Sequence, residues 1–187
     1  MVKDIPIPHY GDNEVLINIK EVGLCRSDVH FYNEGRIGDF IVKKPLILGH
    51  ESSGIIAKIG KNVKGFKIGD RVSVETGLPC YKCYFCKTGK YHLCNNIVFL
   101  AAPPSNGAFV EYMKYDPNFL FKVSDDASFT EAALAEPLSV GYSCATRAEV
   151  KAGDYVCIFG IWSNRISMLG NVKNNGSFKN IYYVSLR

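Results

Sequence analysis

The chain has 187 residues, 47% of them hydrophobic and 21% charged, which allows one large domain or one domain with part of a second. A formal charge of +4 and a pI near 8.6 come without a dense Lys/Arg block, so nucleic-acid binding is not indicated. No apolar run approaches the ~18 residues of a membrane span, and the charged, proline-bearing N-terminus lacks the apolar core of a signal peptide. The expectation is therefore a cytoplasmic protein acting on neither nucleic acid nor membrane.

In chain order, residues 4–10 read as an extended lead-in. Val15-Leu16-Ile17-Asn18-Ile19 predicts a strand leading through Val22-Gly23-Leu24 to Cys25. Further short strands are expected at residues 46–48, 53–59, 71–74 and 108–112. Turn signals at Gly35, Gly38, Gly60, Gly65, Gly69-Asp70, Gly77 and Pro103-Pro104 separate them. Many short strands punctuated by glycine predict a mainly β barrel or sandwich with short helices. Beyond Asp125 the pattern changes. Ser128-Phe129-Thr130-Glu131 predicts a helix cap, Ala132-Ala133-Leu134-Ala135 is good helix material, and residues 139–148 stay in helical register. Gly153-Asp154 then turns into the apolar strand Tyr155-Val156-Cys157-Ile158-Phe159-Gly160, which reads as the first strand of an α/β nucleotide-binding domain.

Seven cysteines are an odd number, and four of them fall within residues 80–94. Cys80-x2-Cys83-x2-Cys86-x7-Cys94 suits a tetrahedral, closed structural zinc, with Gly89 letting the loop fold back. Two disulfides are the alternative, but they need an oxidising compartment that nothing else supports. Cys25, His50 and Glu51 form a second set. A thiolate, an imidazole and a carboxylate leave one position on zinc open for water or substrate, the pattern of a catalytic site. Taken singly, Cys25 also fits a small core residue and His50 a satisfied buried histidine.

The run Gly49-His50-Glu51-x2-Gly54-x5-Gly60-x2-Val63 resembles the zinc-containing alcohol dehydrogenase signature in every fixed position. Gly35-Arg36-Ile37-Gly38-Asp39-Phe40-Ile41-Val42-Lys43-Lys44-Pro45 and Glu136-Pro137-Leu138-Ser139-Val140 look like the sorbitol (L-iditol) dehydrogenase branch of that medium-chain family. The resemblance covers residues 4 to about 159. It implies a GroES-like β-barrel catalytic domain over residues 1–137 without its first strand, and the start of an incomplete Rossmann NAD-binding domain over 138–187. Two zinc ions per chain are implied. Cys80, Cys83, Cys86 and Cys94 would hold the structural one. Cys25, His50 and Glu51 would hold the catalytic one, together with Glu136, directly or through water. By the same resemblance Asp28 orients the site, and Ser27 and His30 pass the alcohol proton outward. Phe31, Phe40 and Phe99 match pocket positions, with ordinary core aromatics as the alternative; Phe31 stands where many polyol dehydrogenases carry a tyrosine. Arg26 replaces the branch's common glycine, matching either an arginine that meets the cofactor pyrophosphate or a solvated surface residue.

The implied activity is NAD-linked oxidation of a polyol such as sorbitol or xylitol to a ketose, in a homo-oligomer. A non-enzymatic zinc-binding fragment and a dehydrogenase of simple alcohols are the alternatives. One stretch departs from the family. After Gly160 a Rossmann chain should read Gly-x-Gly-x-x-Gly into a helix, but residues 161–170 contain no glycine before Gly170. The chain on its own is therefore expected to lack dehydrogenase activity. We hypothesise a reading-frame slip, because residues 162–171 read one base later permit Gly-Pro-Ile-Gly-Leu-Val-Cys-Leu-Gly-Met, and residues 181–184 again read as the next strand. Divergence in a decaying or alternatively spliced copy is the alternative. Coding DNA with no single-base insertion or deletion bracketing this stretch, in reads or in relatives, rejects the slip.

Overall fold

Runs rich in β-branched residues favour strands, and two nine-residue strands lie at the middle of the fold, each with a consecutively buried start. β1 (Val15–Gly23) and β4 (Glu51–Ile59) pair antiparallel from Val15↔Ile59 to Gly23↔Glu51 in a computed structural model. The structure describes residues 3–151, 154–159 and 181–184. They fall into two compact units, residues 1–134 and 135–187.

In the first unit, β1 leads into helix α1 (Arg26–Glu34), which Gly35 ends in the left-handed conformation at φ 67°. The hairpin of β2 (Arg36–Ile37) and β3 (Phe40–Ile41) follows, then β4 and β5 (Arg71–Val74). β6 (Gly77–Leu78) pairs with β7 (Val98–Phe99), and between them lies the cysteine loop with the single turn α2 (Tyr84–Lys87). β8 (Tyr112–Tyr115) and β9 (Leu120–Lys122) complete a five-stranded antiparallel sheet in the order β8-β1-β4-β5-β9. Its core gathers Val15, Ile17, Ile56, Val72, Val74 and Met113 around Phe119 and Leu120. Burying each large aliphatic side chain is worth about 1.5–3 kcal/mol. Helix α3 (Phe129–Ala133) closes this unit. Ser128 and Glu131 form the expected capping box, and the Ser53 hydroxyl donates to the Phe129 carbonyl at 2.6 Å.

Two expected strands differ. Residues 46–48 join no ladder, because their carbonyls accept from a loop: Gly107 N–H donates to Ile47 O and Phe109 N–H to Leu48 O. Residues 108–112 are delayed by a tight turn, Val110 N–H donating to Ala108 O, so β8 begins only at Tyr112. Local apolar content predicted strands in both places. An irregular loop-to-loop contact took the hydrogen bonds instead.

In the second unit, α4 (Ala135–Arg147) carries Glu136 and Pro137 in its first turn, where a carboxylate complements the helix dipole and a missing N–H is harmless. β10 (Val156–Phe159) pairs parallel with β11 (Ile181–Val184), in the register Val156↔Ile181 to Phe159↔Val184. Ala145, Val156 and Ile158 form its core. A parallel pair needs a crossover connection, which is the opening of the α/β arrangement expected from the sequence. Residues 160–180, with Gly160 and the departing stretch, lie outside the described residues. No helix among the described residues is long and apolar enough to cross a membrane.

Candidate metal centre

Two groups of metal-ligating side chains occur among the described residues, each with all its ligand atoms within 4.8 Å of one another: Cys25, His50 and Glu51, and Cys80, Cys83, Cys86 and Cys94. Both sets were expected from the sequence.

The first is assembled from distant pieces of chain. Cys25 is the N-cap of α1, Glu51 is the first residue of β4, and His50 sits between β4 and the left-handed Gly49 (φ 88°). A side chain at Gly49 would lie 2.9 Å from both Phe109 and Val22, so this corner requires glycine for its conformation and its packing alike. Asp28, only 1% exposed, ties the pieces together. Its Oδ2 accepts from Cys25 N–H at 3.0 Å, its Oδ1 accepts from Gly49 N–H at 2.9 Å, and Oδ1 lies 3.6 Å from His50 Nδ1. One carboxylate thus fixes both loops that carry ligands and faces one ring nitrogen of the histidine, the arrangement that orients a metal-bound imidazole.

Electrostatics follow from this packing. Burial pushes the Asp28 carboxyl up, but His50 and the Gly49 and Cys25 amides overcome it and hold the group below the usual carboxylate range. Burial opposes charge on His50 as well, yet Asp28 and Cys25 push its pKa up to about 10. The hydrogen bond with His50 in turn draws the Cys25 thiol below its ordinary value. Each of Cys25 and His50 thus favours the charged form of the other, and a metal cation can take the place of the imidazolium proton.

The second set is local. Sγ–Sγ distances are 3.4 Å for Cys83–Cys86 and 4.0 Å for Cys80–Cys86, and Cys80 N–H donates to Cys94 Sγ at 3.3 Å. These separations bracket the edge of about 3.8 Å that a tetrahedron with Zn–S bonds of about 2.3 Å requires. Gly89 turns the loop back at φ 75°. The donors fit zinc in both places: four thiolates in one, one thiolate, one imidazole and one carboxylate in the other.

The remaining expected site residues are spread more widely. The Ser27 hydroxyl lies 3.5 Å from His50 Nε2, which brings it to the first set. His30 faces outward on α1, with Nδ1 2.9 Å from Glu34 Oε1 and Nε2 accepting from Arg26 Nε–H at 3.5 Å. Phe31 is buried in α1, whereas Phe40 in β3 and Phe99 in β7 are exposed. Glu136 stands in the second unit, outside the three-residue group. Sequence reasoning missed Gly23, directly opposite Glu51 in the β1–β4 register. Glycine in a strand interior is a signal of close approach, but only the register shows what approaches it.

Residues 11–125 match the family of the alcohol dehydrogenase GroES-like domain. Over 160 residues the chain is 48% identical to the sorbitol dehydrogenase of Bacillus subtilis (strain 168), covering 86% of this chain and 45% of that protein. It is 46% identical over 159 residues to the sorbitol dehydrogenase of Bos taurus, covering 85% and 45%. The fold is similar to that of 2R,3R-butanediol dehydrogenase from Bacillus subtilis, with a TM-score of 0.89 and 32% identity, covering 100% of this chain and 55% of the other. The chain thus spans about 45% of the length of these curated relatives.

Proposed function

The chain belongs to the alcohol dehydrogenase GroES-like family, and from that membership we propose that it carries the zinc-binding catalytic part of an NAD-linked polyol dehydrogenase. The observation that carries the reading is the convergence of Cys25, His50 and Glu51, with all ligand atoms within 4.8 Å, around one Asp28 carboxylate. Cys25, His50 and Glu51 would hold the catalytic zinc, and the four cysteines of residues 80–94 a structural one. Bound at the first set, zinc supplies a Lewis acid that lets a substrate hydroxyl ionise near neutral pH. NAD, bound by the whole protein, supplies the hydride acceptor.

The residues of this chain divide the remaining work. Asp28 holds the imidazole and the Cys25 loop in place. Ser27 receives the hydroxyl proton beside His50. His30, held by Glu34 on the exposed face of α1, passes it toward solvent. Phe31, Phe40 and Phe99 shape the polyol pocket, Arg26 contacts the cofactor phosphates, and Glu136 supplies the further carboxylate. The substrate class rests on the resemblance of Glu51 and residues 35–45 to the polyol branch and on the sorbitol dehydrogenase relatives.

Cobalt substitution tests the reading without requiring turnover. A Co(II)-loaded chain should hold two metals, and sorbitol or xylitol should shift its visible d–d bands in the wild type but not in Cys25→Ala. Metal at the cysteine loop alone would leave a zinc-binding module without a catalytic site. A response to primary alcohols and none to polyols would move the substrate class to simple alcohols.

A further inference from the structure

Glu51 reaches the metal group across the end of β1, over a residue that has no side chain. A Cβ added at Gly23 would lie 2.2 Å from Glu51 Oε2, 3.2 Å from its Cδ and 3.0 Å from its Cβ. Gly23 and Glu51 are directly paired in the β1–β4 ladder, so their Cα atoms cannot move apart without breaking the last rung. The Gly23 backbone is not in the left-handed region, and ordinary strand geometry admits alanine there. The severe conflict, at 2.2 Å, lies with the tip of one flexible side chain, while the 3.0 Å approach to Glu51 Cβ asks the strand end to give by a few tenths of an ångström. From this we infer that Gly23 is the positioning residue that makes Glu51 a metal donor: its missing methyl is the slot in which the carboxylate lies beside Cys25 and His50.

The inference rests on the reading of Cys25, His50 and Glu51 as a zinc site, and it assigns a cause to the third donor. In Gly23→Ala the strand stays paired and Asp28 still holds the Cys25 and His50 loops. The Glu51 carboxylate must then rotate off the β1 end, and the site keeps one thiolate and one imidazole. Displaced orienting contacts at metal sites lower affinity by roughly 10–100-fold, and loss of a donor belongs at the upper end of that range.

The test measures zinc, not turnover. The full chain, Gly23→Ala, Glu51→Ala and the double variant are titrated with zinc against a chromophoric chelator, and their metal-free melting temperatures are recorded. Expected are two zincs for the wild type and a drop of tenfold or more at one of the two sites in Gly23→Ala, with the metal-free melting temperature lowered only slightly. The double variant should bind no more weakly than Glu51→Ala, because the carboxylate that the methyl would displace is already gone. Two undiminished sites in Gly23→Ala, or a double variant weaker than Glu51→Ala by the full single effect, overturns the inference while leaving the zinc site standing. Should Gly23→Ala fold poorly, recovery in the double variant upholds the steric cause and continued misfolding refutes it. A wild type that binds only one zinc overturns the site itself.

Discussion

The two candidate metal-ligand sets solve one problem by opposite means. Cys25 and the His50-Glu51 pair come from two distant places in the chain and are held before any metal arrives, by a nine-residue strand pair, a helix cap and the buried Asp28 carboxylate. The cysteine set comes from one loop whose regular structure is limited to single helical turns, in which Tyr84 is 74% and Leu93 42% exposed. Amides of Lys82 and Cys83 draw Cys80 down to about 6, while burial and the neighbouring thiols push Cys86 up to about 12. One sulfur takes the charge and another gives it up, until a dication satisfies all four. A site that needs an open coordination position must be rigid without its metal, whereas a closed site can leave its order to the metal.

The largest expected effect breaks this comparison directly. A strong chelator should unfold residues 80–94 and leave the five-stranded sheet paired, because the metal contributes on the order of 10 kcal/mol to small thiolate sites. Trypsin reads this out: cleavage after Lys82, Lys87 and Lys90 should appear on chelation, while far-UV circular dichroism retains the strand signal. Equal protection with and without chelator would show that the loop orders itself. Next in size is Asp28→Ala. It strips the partner from the Cys25 and Gly49 amides, both held by a residue 1% exposed, at a cost of ~1–3 kcal/mol per buried group left unpaired. Zinc affinity should fall at one site only, with the cysteine set unchanged. Asp28→Asn should be intermediate.

The legible parts of the molecule were those where local chemistry and tertiary need coincide. Residues 71–74 form β5 as expected, the Ser128 cap stands where Ser and Glu are three apart, and the apolar runs at 156–159 and 181–184 pair in parallel. The two candidate metal sets were readable because four cysteines stand close together and because His50-Glu51 lies inside a family signature with Cys25 upstream. Residues 46–48 misled because apolar content says nothing of which backbone groups a neighbouring loop will claim. Gly23 was silent for a related reason. Its meaning lies in a register 28 positions away in the chain, and no local pattern carries that. The aromatic positions chosen from resemblance fall on separate elements, one buried and two exposed, which position along a chain could not distinguish.

A smaller effect sharpens the comparison by asking what holds the cysteine loop besides metal. Tyr81, left-handed at φ 60°, donates its hydroxyl to Asp116 Oδ2 at 2.9 Å and lays its ring 5.9 Å from that of Phe119; Tyr91 meets the same phenylalanine at 6.0 Å. Tyr81→Phe removes the hydrogen bond and keeps the ring contact, so it should cost about 1 kcal/mol. In the zinc-loaded protein this should appear as modestly faster tryptic cleavage at Lys82, with no change at the Cys25 set.

The smallest effect belongs to the sheet beneath the first site. At the start of β1, Glu14 Oε2 accepts from Gly11 N–H at 2.7 Å and Oε1 from Lys114 at 3.1 Å. Burial pushes this carboxyl up, but the Gly11 amide and the Lys114 ammonium together outweigh it and hold the pKa below its ordinary value. A depressed folded-state pKa contributes stability that is present above the unfolded value and is lost as pH falls through the folded one. The side chain is 33% exposed, so solvent screening keeps the contribution under about 1 kcal/mol. The melting temperature of Glu14→Gln should therefore fall slightly below wild type at pH 7, and the two should converge as the pH drops below the ordinary glutamate range. Because the amide that replaces the carboxylate cannot titrate, a gap that stays constant down to about pH 3, below the ordinary glutamate pKa, would assign the effect to hydrogen-bond geometry and not to charge. A gap that also widens on chelation would mean that the sheet and the cysteine loop do not stand independently, and the contrast between a preformed site and a metal-ordered one would fail.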